Sequence, residues 1–215
     1  MKLQINNKQN IFFCSDPHYG HSRIVAGTSP WGDKSLCRPF QTVDDHDKTL
    51  VENINKTVGE NDILFCLGDW SFGAYKTGEN ITNIKKFREA INCKTVHLTF
   101  GNHDTEILKN ESGVQELFSS VNSYLEIYVI EQPSSQNEKP VKQKIILSHY
   151  SHRVWNGMHN GSWHLFGHSH GGLKNIEGKT MDCGFDTHKE FRPYSYQEIK
   201  DILSYKDFVK LDHHG

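Results

Sequence analysis

Short apolar runs alternate with helical patterns in the first half of the chain. Three such runs, typical of buried strands, cover residues 11–14, 63–67 and 95–100. Between them, apolar residues recur at helical spacing over 43–58, behind a Thr42 N-cap, and again over 81–91. This β-α-β-α-β order predicts a largely parallel sheet with helices on its faces.

The second half of the chain changes to closely spaced strands. After a short helical pattern at 115–121, residues 125–130 and 141–147 read as strands around a polar turn at 133–140, which predicts a β-hairpin. Further short strands are predicted at residues 163–166, 173–176 and 180–185. The last helix is predicted to begin at Ser195-Tyr196-Gln197-Glu198, which has the spacing of a capping box.

Composition indicates a soluble globular protein with one domain over 1–215, since 35% of its 215 residues are hydrophobic and 23% charged. No apolar run approaches the ~20 residues of a membrane-spanning helix, and the N-terminus lacks the apolar stretch of a signal peptide. We therefore expect a cytoplasmic protein. The five scattered cysteines form no C-x-x-C pair, and the net charge of -2 gives no general attraction to nucleic acid. The 14 histidines, in contrast, favour a metal site.

Polar clusters follow the predicted strands at the points where the strands end. D-x-H follows the first run, Gly-Asp the second, Gly-Asn-His-Asp the third, Ser-His the second hairpin strand, and Gly-His-Ser-His the strand at 163–166. Ligands of open α/β sheets gather at the carboxyl ends of strands, so these clusters are expected to meet. The candidate metal ligands are Asp16, His18, Asp69, Asn102, His149, His168 and His170.

The chemistry of these side chains favours two ions. They offer nitrogen and oxygen but no thiolate, which suits Mn, Fe, Zn, Co or Ni better than Mg alone or a structural zinc. Seven ligands are too many for one tetrahedral ion and about right for two, with a carboxylate as the natural bridge. We expect two divalent ions per chain, with Mn²⁺ favoured. Glycines before Asp69, Asn102 and His168 are expected to let the chain turn sharply there.

The ordered series D-x-H, G-D, G-N-H-D, H and G-H-x-H resembles that of the calcineurin-like metallophosphoesterase superfamily, and other stretches resemble small bacterial and phage phosphoesterases. The resemblance implies a four-layer α/β/β/α sandwich of two mixed sheets flanked by helices, with a dinuclear site at one edge. Protein serine/threonine phosphatases of the superfamily carry G-D-x-V-D-R-G where this chain has Gly68-Asp69-Trp70-Ser71-Phe72-Gly73. That departure makes protein phosphatase activity less favoured.

The same resemblance implies a role for each site residue. The first ion would be held by Asp16, His18 and His170. The second would be held by Asn102, His149 and His168, with Asp69 bridging the two. His103 resembles the catalytic histidine of the family, which is not a metal ligand, and Asp104 would orient it.

Substrate contacts are predicted from chemistry alone. Arg38, Arg153 and Arg192 are candidates for gripping a phosphate oxygen with a guanidinium group, with surface arginine as the alternative. Trp155 is a candidate wall for a base or other flat group, with an ordinary packing role as the alternative. Four further histidines are expected to support the site, touch substrate or face solvent rather than bind metal: His21, His152, His159 and His164.

These features predict a metal-dependent phosphoric ester hydrolase. The favoured reaction is hydrolysis of a phosphodiester, from a nucleotide or nucleic acid, by a metal-bridging hydroxide while His103 protonates the leaving group. A phosphomonoesterase or nucleotidase would use the same residues and is the alternative. A catalytically silent protein-binding scaffold is the rival from another class. No membrane association and no obligatory protein partner are expected.

Overall fold

The computed structural model describes residues 1–5, 9–74, 76–132, 139–207 and 209–211. The strands are β1 (Lys2–Ile5), β2 (Ile11–Cys14), β3 (Ile63–Cys66), β4 (Thr95–Thr99), β5 (Ser120–Asn122), β6 (Leu125–Glu131), β7 (Val141–Leu147), β8 (Trp163–Phe166), β9 (Thr180–Asp182) and β10 (Tyr194–Ser195). The α-helices are α1 (Val43–Thr57), α2 (Thr77–Ala90), α3 (Thr105–Leu108) and α4 (Tyr196–Ser204).

The strands form two five-stranded mixed sheets. One sheet has the order β10-β2-β3-β4-β5, in which β2 to β5 are parallel and β10 is antiparallel to β2. The other has the order β1-β6-β7-β8-β9, in which only the β6–β7 hairpin pair is antiparallel. Two mixed sheets with flanking helices are the fold class that the family resemblance implies, and this expectation is confirmed.

Strand β2 is buried on both faces, which explains its unbroken apolar sequence. Ile11 and Phe13 pack between the two sheets, whereas Phe12 and Cys14 pack against the helices. The neighbouring strand β3 repeats the pattern, and the ring of Phe65 stacks on Phe13 with the centroids 5.4 Å apart. Full burial of a side chain of this size stabilises the fold by about 1.5–3 kcal/mol, so these central strands fix the frame of the site.

The outer faces of the two sheets are covered differently. Helices α1 and α2 cover the first sheet and bury Leu50, Ile54, Ile84 and Phe87 against it. The other sheet is covered by the loop after β7, where Trp155, Met158 and Ile146 form a small separate core. Helix α4 adds Tyr196, Ile199 and Leu203 to the core between the sheets. None of the helices in the described ranges is long and apolar enough to cross a membrane.

Local predictions succeed where a side chain decides the boundary. Thr42 caps α1 by accepting the N–H of Asp45, and Ser195 and Glu198 form the predicted capping box of α4. The predicted helix at 115–121 is wrong, because a 3₁₀ segment ends at Leu117 and β5 follows. No strand forms at 173–176, where Asn175 has a left-handed φ of 56° and most side chains are exposed.

Besides β5, two short edge strands escaped prediction. β1 pairs along β6 in parallel, and β10 contributes only Tyr194 and Ser195 beside β2. Neither strand has a long apolar run that would predict it. Edge strands of two to four residues gain their stability from pairing with a neighbouring strand, and this pairing leaves no pattern in their own sequence. The predicted polar turn at 133–140 falls mostly outside the described residues.

Candidate metal centre

The carboxyl ends of five strands meet at one edge of the molecule. β2, β3 and β4 are parallel neighbours in one sheet, and β7 and β8 are parallel neighbours in the other. The N–H of Ser15 donates to the carbonyl of Cys183 at 3.0 Å, which joins the two sheets at this edge. The loops that follow these strands carry the polar clusters predicted from the sequence, as expected for the carboxyl edge of a sheet.

One group of three potential ligands comprises Asp16, His18 and His170, whose ligand atoms lie within 4.8 Å of one another. The Nε2 atoms of His18 and His170 are 3.3 Å apart, and each lies 3.8 Å from Oδ1 of Asp16. These distances leave room for one ion between three convergent donors.

A second group comprises Asp69, His149 and His168, also within 4.8 Å. Nε2 of His149 lies 3.1 Å from Oδ1 of Asn102, which brings the amide to the same place. Oδ2 of Asp69 lies 3.5 Å from Nε2 of His149 and 3.6 Å from Nε2 of His18 in the first group. One carboxylate oxygen therefore stands between the two groups.

The state of Asp16 shows that these residues fit cations. The side chain is completely buried, and its Oδ1 accepts no hydrogen bond from any residue that the structure describes. Burial raises the pKa of Asp16 and of Asp69 to about 6, because a buried charge lacks solvation. A buried carboxylate oxygen facing two imidazole nitrogens needs a positive partner, and a divalent cation supplies one.

The family model for calcineurin-like phosphoesterases matches residues 10–177. The chain belongs to this family. Calcineurin-like phosphoesterases bind divalent metals and act on phosphate esters, which agrees with the donor set at the sheet edge.

The chain is also similar to proteins of an archaeon and a phage. An uncharacterized protein of Methanocaldococcus jannaschii is 33% identical over 98 residues, which is 45% of this chain and 47% of that protein. The chain thus covers about half the length of this relative. The Gene 66 protein of Mycobacterium phage L5 is 23% identical over 215 residues, covering 91% of this chain and 95% of that protein. A crystal structure of an Aquifex aeolicus protein of unknown function has the same fold, with a TM-score of 0.56, 18% identity, 91% coverage of this chain and 100% coverage of that one.

In this member of the family, several candidate ligands are anchored through one polar atom and present another to the site. Asp16 accepts the N–H of His168 on Oδ2, and Asp69 accepts the N–H of His103 on Oδ1, both at 2.8 Å. Nδ1 of His149 lies 2.8 Å from the carbonyl oxygen of Leu67. Such supporting hydrogen bonds fix the orientation of metal ligands and typically change metal affinity about 10–100-fold when removed.

The backbone is strained at the same residues. Positive φ angles of 46° to 66° occur at five non-glycine candidates: Asp16, His18, Asp69, His168 and His170. This conformation costs about 1–3 kcal/mol per residue and is found mainly at functional sites. Gly68 supplies the predicted sharp turn with a φ of 106°.

The glycines that precede Asn102 and His168 are not among the residues with positive φ angles. Gly101 and Gly167 are required for space. A Cβ at Gly101 would lie 2.1 Å from Oδ1 of Asp69, and one at Gly167 would lie 1.8 Å from Oγ of Ser15. Any side chain at either position would displace a loop that carries candidate ligands.

His103 lies beside the two groups. Its ring meets the edges of His18 and Phe72 at centroid distances of 5.2 Å, and burial lowers its pKa. Together with His21 and His18, it forms a third cluster of nitrogen donors within 4.8 Å. From the sequence alone, His21 was expected near the site only because it follows His18 by three positions.

Asp104 has a different partner from the one predicted. Its carboxylate accepts the N–H groups of Asp69, Trp70 and Gly101 at 2.8–2.9 Å, and within the described residues it makes no hydrogen bond to the ring of His103. Asp104 therefore holds the loop after β3 against the loop after β4. Its predicted role of orienting His103 is corrected to one of positioning the backbone of Asp69.

Asp186 supports His170, and the sequence analysis missed it. Oδ2 of Asp186 lies 2.6 Å from Nδ1 of His170, while Arg38 donates to both carboxylate oxygens at 2.9 and 2.7 Å. Burial by itself raises the pKa of Asp186. The charge of Arg38 and the hydrogen bond with His170 outweigh burial and hold this pKa well below its usual range. Asp186 follows the apolar stretch 183–185 as the other clusters follow their strands, and that signal was available.

Arg38 is thereby excluded as a phosphate clamp. Its five N–H groups all have acceptors, namely the two oxygens of Asp186, the carbonyls of Asp16 and Pro17, and Nε2 of His46. The predicted contact with substrate is wrong, because this buried guanidinium has no donor left to offer. It braces the loop that carries Asp16.

The other predicted substrate contacts are spread over the structure. Arg192 forms salt bridges with Glu190 and Glu198, and neither of these is a candidate metal ligand. Trp155 is buried, stacks on His164 and donates its indole N–H to the carbonyl of Ser162, so its predicted role as a wall for a flat group is wrong. Arg153 is exposed on the loop after β7.

Proposed function

We propose that this protein is a dinuclear phosphodiesterase with Asp16, His18 and His170 at one ion, with Asn102, His149 and His168 at the other, and with Asp69 shared between them. The observation that carries this proposal is the position of Asp69. Its Oδ2 lies 3.6 Å from Nε2 of His18 and 3.5 Å from Nε2 of His149, one from each group. Mn²⁺ suits the mixed oxygen and nitrogen donors.

Two divalent ions supply an activated water and neutralise charge on the phosphoryl oxygens. The chain supplies the orientation and the proton. Asp16, Asp69, His149 and His170 are held by hydrogen bonds that leave one atom of each turned toward the centre. His103, beside them, gives a proton to the leaving oxygen.

Two cavities flank this centre and favour a diester. One of about 500 Å³ borders His170, and one of about 240 Å³ borders Asn102 and His103. A phosphodiester carries two substituents on phosphorus, whereas a monoester carries one. The smaller cavity lies beside the proposed acid, so it is the place for the leaving alcohol.

The first test compares the hydrolysis of bis-p-nitrophenyl phosphate and p-nitrophenyl phosphate by Mn²⁺-loaded protein. We expect a higher kcat/KM for the diester. A clear monoester preference would favour the phosphomonoesterase or nucleotidase alternative. Binding of fewer than two ions in excess Mn²⁺, without turnover, would favour the scaffold.

The second test separates His103 from the ligands. His103→Ala should keep both ions and lose about 10²–10⁴-fold in rate on a diester with an alkyl leaving group, but much less on an aryl ester, because nitrophenolate leaves without a proton. Metal content and both rates are measured on one preparation. Lost metal, or an equal loss on both substrates, would contradict the role of His103 as the acid.

A further inference from the structure

The larger cavity lies between the loop at 31–39 and the turn at 169–172. Its volume of about 500 Å³ is within the range of about 300–1,000 Å³ that small-molecule sites occupy. Its lining is predominantly apolar, with side chains from Ile24, Trp31, Leu36 and Pro39. It reaches the metal centre at His170, so a group bound in it would be adjacent to a phosphate at that centre.

Trp31 distinguishes this cavity from an ordinary surface depression. All four tryptophans lie in the described part of the chain, and Trp70, Trp155 and Trp163 are 1%, 5% and 6% exposed. Trp31 is 45% exposed, and Leu36 on the same loop is 91% exposed. An indole and a leucine that face solvent beside a polar centre indicate a surface for an apolar ligand group.

The loop that carries these side chains is fixed at its base. The N–H of Arg38 donates to the carbonyl of Ile24 at 2.7 Å, and the N–H of Ala26 donates to the carbonyl of Arg38 at 2.9 Å. The guanidinium of Arg38 binds Asp186, the residue that supports His170. The base of the cavity wall and the candidate ligand therefore share one support.

We propose that this cavity binds a flat aromatic substituent of the substrate, such as a nucleobase, with Trp31 as the stacking surface and Leu36 as the apolar edge. The proposal rests on the phosphodiesterase function above and names its substrate class. All N–H groups of Arg38 are used within the protein, so Arg38 offers the base no hydrogen bond, and recognition in this proposal depends mainly on stacking and shape. Stacking on an aromatic ring tolerates every base, so purine and pyrimidine nucleotides should bind alike.

Fluorescence tests binding without turnover. Because Trp31 is the one substantially exposed tryptophan of the four in the described structure, acrylamide should quench it selectively. In Zn²⁺-loaded protein, adenosine 5′-phosphate and thymidine 5′-phosphate should protect this signal, whereas methyl phosphate should not. Equal protection by methyl phosphate, or none by either nucleotide, would overturn the proposal.

Kinetics test the same cavity in the Mn²⁺-loaded enzyme. Trp31→Ala should raise KM for thymidine 5′-(p-nitrophenyl phosphate) about 5- to 150-fold, the range expected for a lost stacking contact. Its KM and kcat for methyl p-nitrophenyl phosphate should stay unchanged, and Trp31→Phe should remain close to wild type. The matched control is Tyr205→Ala, which removes an aromatic side chain that is 91% exposed and does not line this cavity.

The results separate the two proposals. If the wild-type enzyme fails to hydrolyse methyl p-nitrophenyl phosphate, the phosphodiesterase proposal fails. The quenching of Trp31 fluorescence then still tests whether the cavity binds a nucleotide. If Trp31→Ala raises KM equally for both substrates, or leaves both unchanged, the cavity proposal fails while the phosphodiesterase proposal stands. The same KM increase in Tyr205→Ala would also overturn it.

Discussion

Replacing Asp186 by asparagine tests whether a residue outside the ligand set controls metal binding. Its Oδ2 lies 2.6 Å from Nδ1 of His170, short enough for a charge-assisted hydrogen bond. Asp186→Asn keeps the size but removes the charge. His170 then loses the charged partner that fixes its ring and presents Nε2 to the proposed first ion, because an amide oxygen is a weaker acceptor than a carboxylate.

The expected loss is about 10–100-fold in affinity at the first ion, or about 1.4–2.7 kcal/mol. Both partners are partly exposed, at 38% for the side chain of His170 and 20% for that of Asp186, so solvent screening favours the lower end. The buried Arg38 also loses one acceptor, and this should lower the free energy of unfolding by about 1–3 kcal/mol. The second ion should bind as in wild type.

The assay is a Mn²⁺ titration against a chelating indicator, with the unfolding free energy measured on the same preparations. Asp62→Asn is the control, since Asp62 is a buried carboxylate that accepts the N–H groups of Asn10 and Gly59 at 2.7 and 2.8 Å, at the end of β3 opposite the candidate ligands. Asp62→Asn should lower the free energy of unfolding but leave Mn²⁺ affinity unchanged. Wild-type affinity in Asp186→Asn, or an equal loss in both variants, would refute the reasoning.

Three further predictions concern charge and metal. Asp69→Asn should lose at least one ion and nearly all activity, as metal analysis and turnover would show, and full occupancy with normal turnover would rule out a bridge. Removing metal with a chelator should lower the Tm measured by thermal unfolding. The expected decrease is about 5–10 °C for each ion whose free concentration was 100 times its Kd, and Asp69→Asn should show a smaller decrease. Bonds from Arg192 lower the pKa of Glu198 from 4.5 to about 2, so its stabilisation is complete above pH 4.5 and lost as pH falls through about 2. In metal-free protein, the unfolding free energies of wild type and Glu198→Gln should therefore differ by about 1 kcal/mol at pH 6 and converge toward pH 2, and a constant difference would contradict the shift.

The candidate ligands could be predicted from the sequence because each belongs to a short polar cluster after an apolar strand. Asp16 and His18 follow β2, and His168 and His170 follow β8, so local order along the chain already gives their neighbourhood. The sheet topology then brings the clusters together without further information. The parts of the fold that depend on alternating apolar runs were accessible for the same reason.

The environment of a side chain could not be predicted in the same way. Trp155 and Trp31 look equivalent in the sequence, yet the first is buried over β7 and the second is exposed beside His170. Arg38 looks like a free cation until the fold brings Asp186, distant by 148 positions, into contact with it. These outcomes depend on packing between segments far apart in the chain, which periodicity and motif spacing do not record.

Several candidate ligands use one polar atom for a supporting hydrogen bond and a second polar atom for the centre, which explains why so many residues around the centre are polar and buried. Asp16 and Asp69 each give one carboxylate oxygen to a backbone N–H from another loop and keep the other for the centre. His149 and His170 do the same with their two ring nitrogens. A loop that carries one candidate ligand is thus fixed by the candidate ligand of another, so the strained backbone angles are imposed by a connected framework. Because each of these hydrogen bonds fixes a candidate ligand through an atom that does not face the centre, we expect removal of any one of them to lower metal affinity.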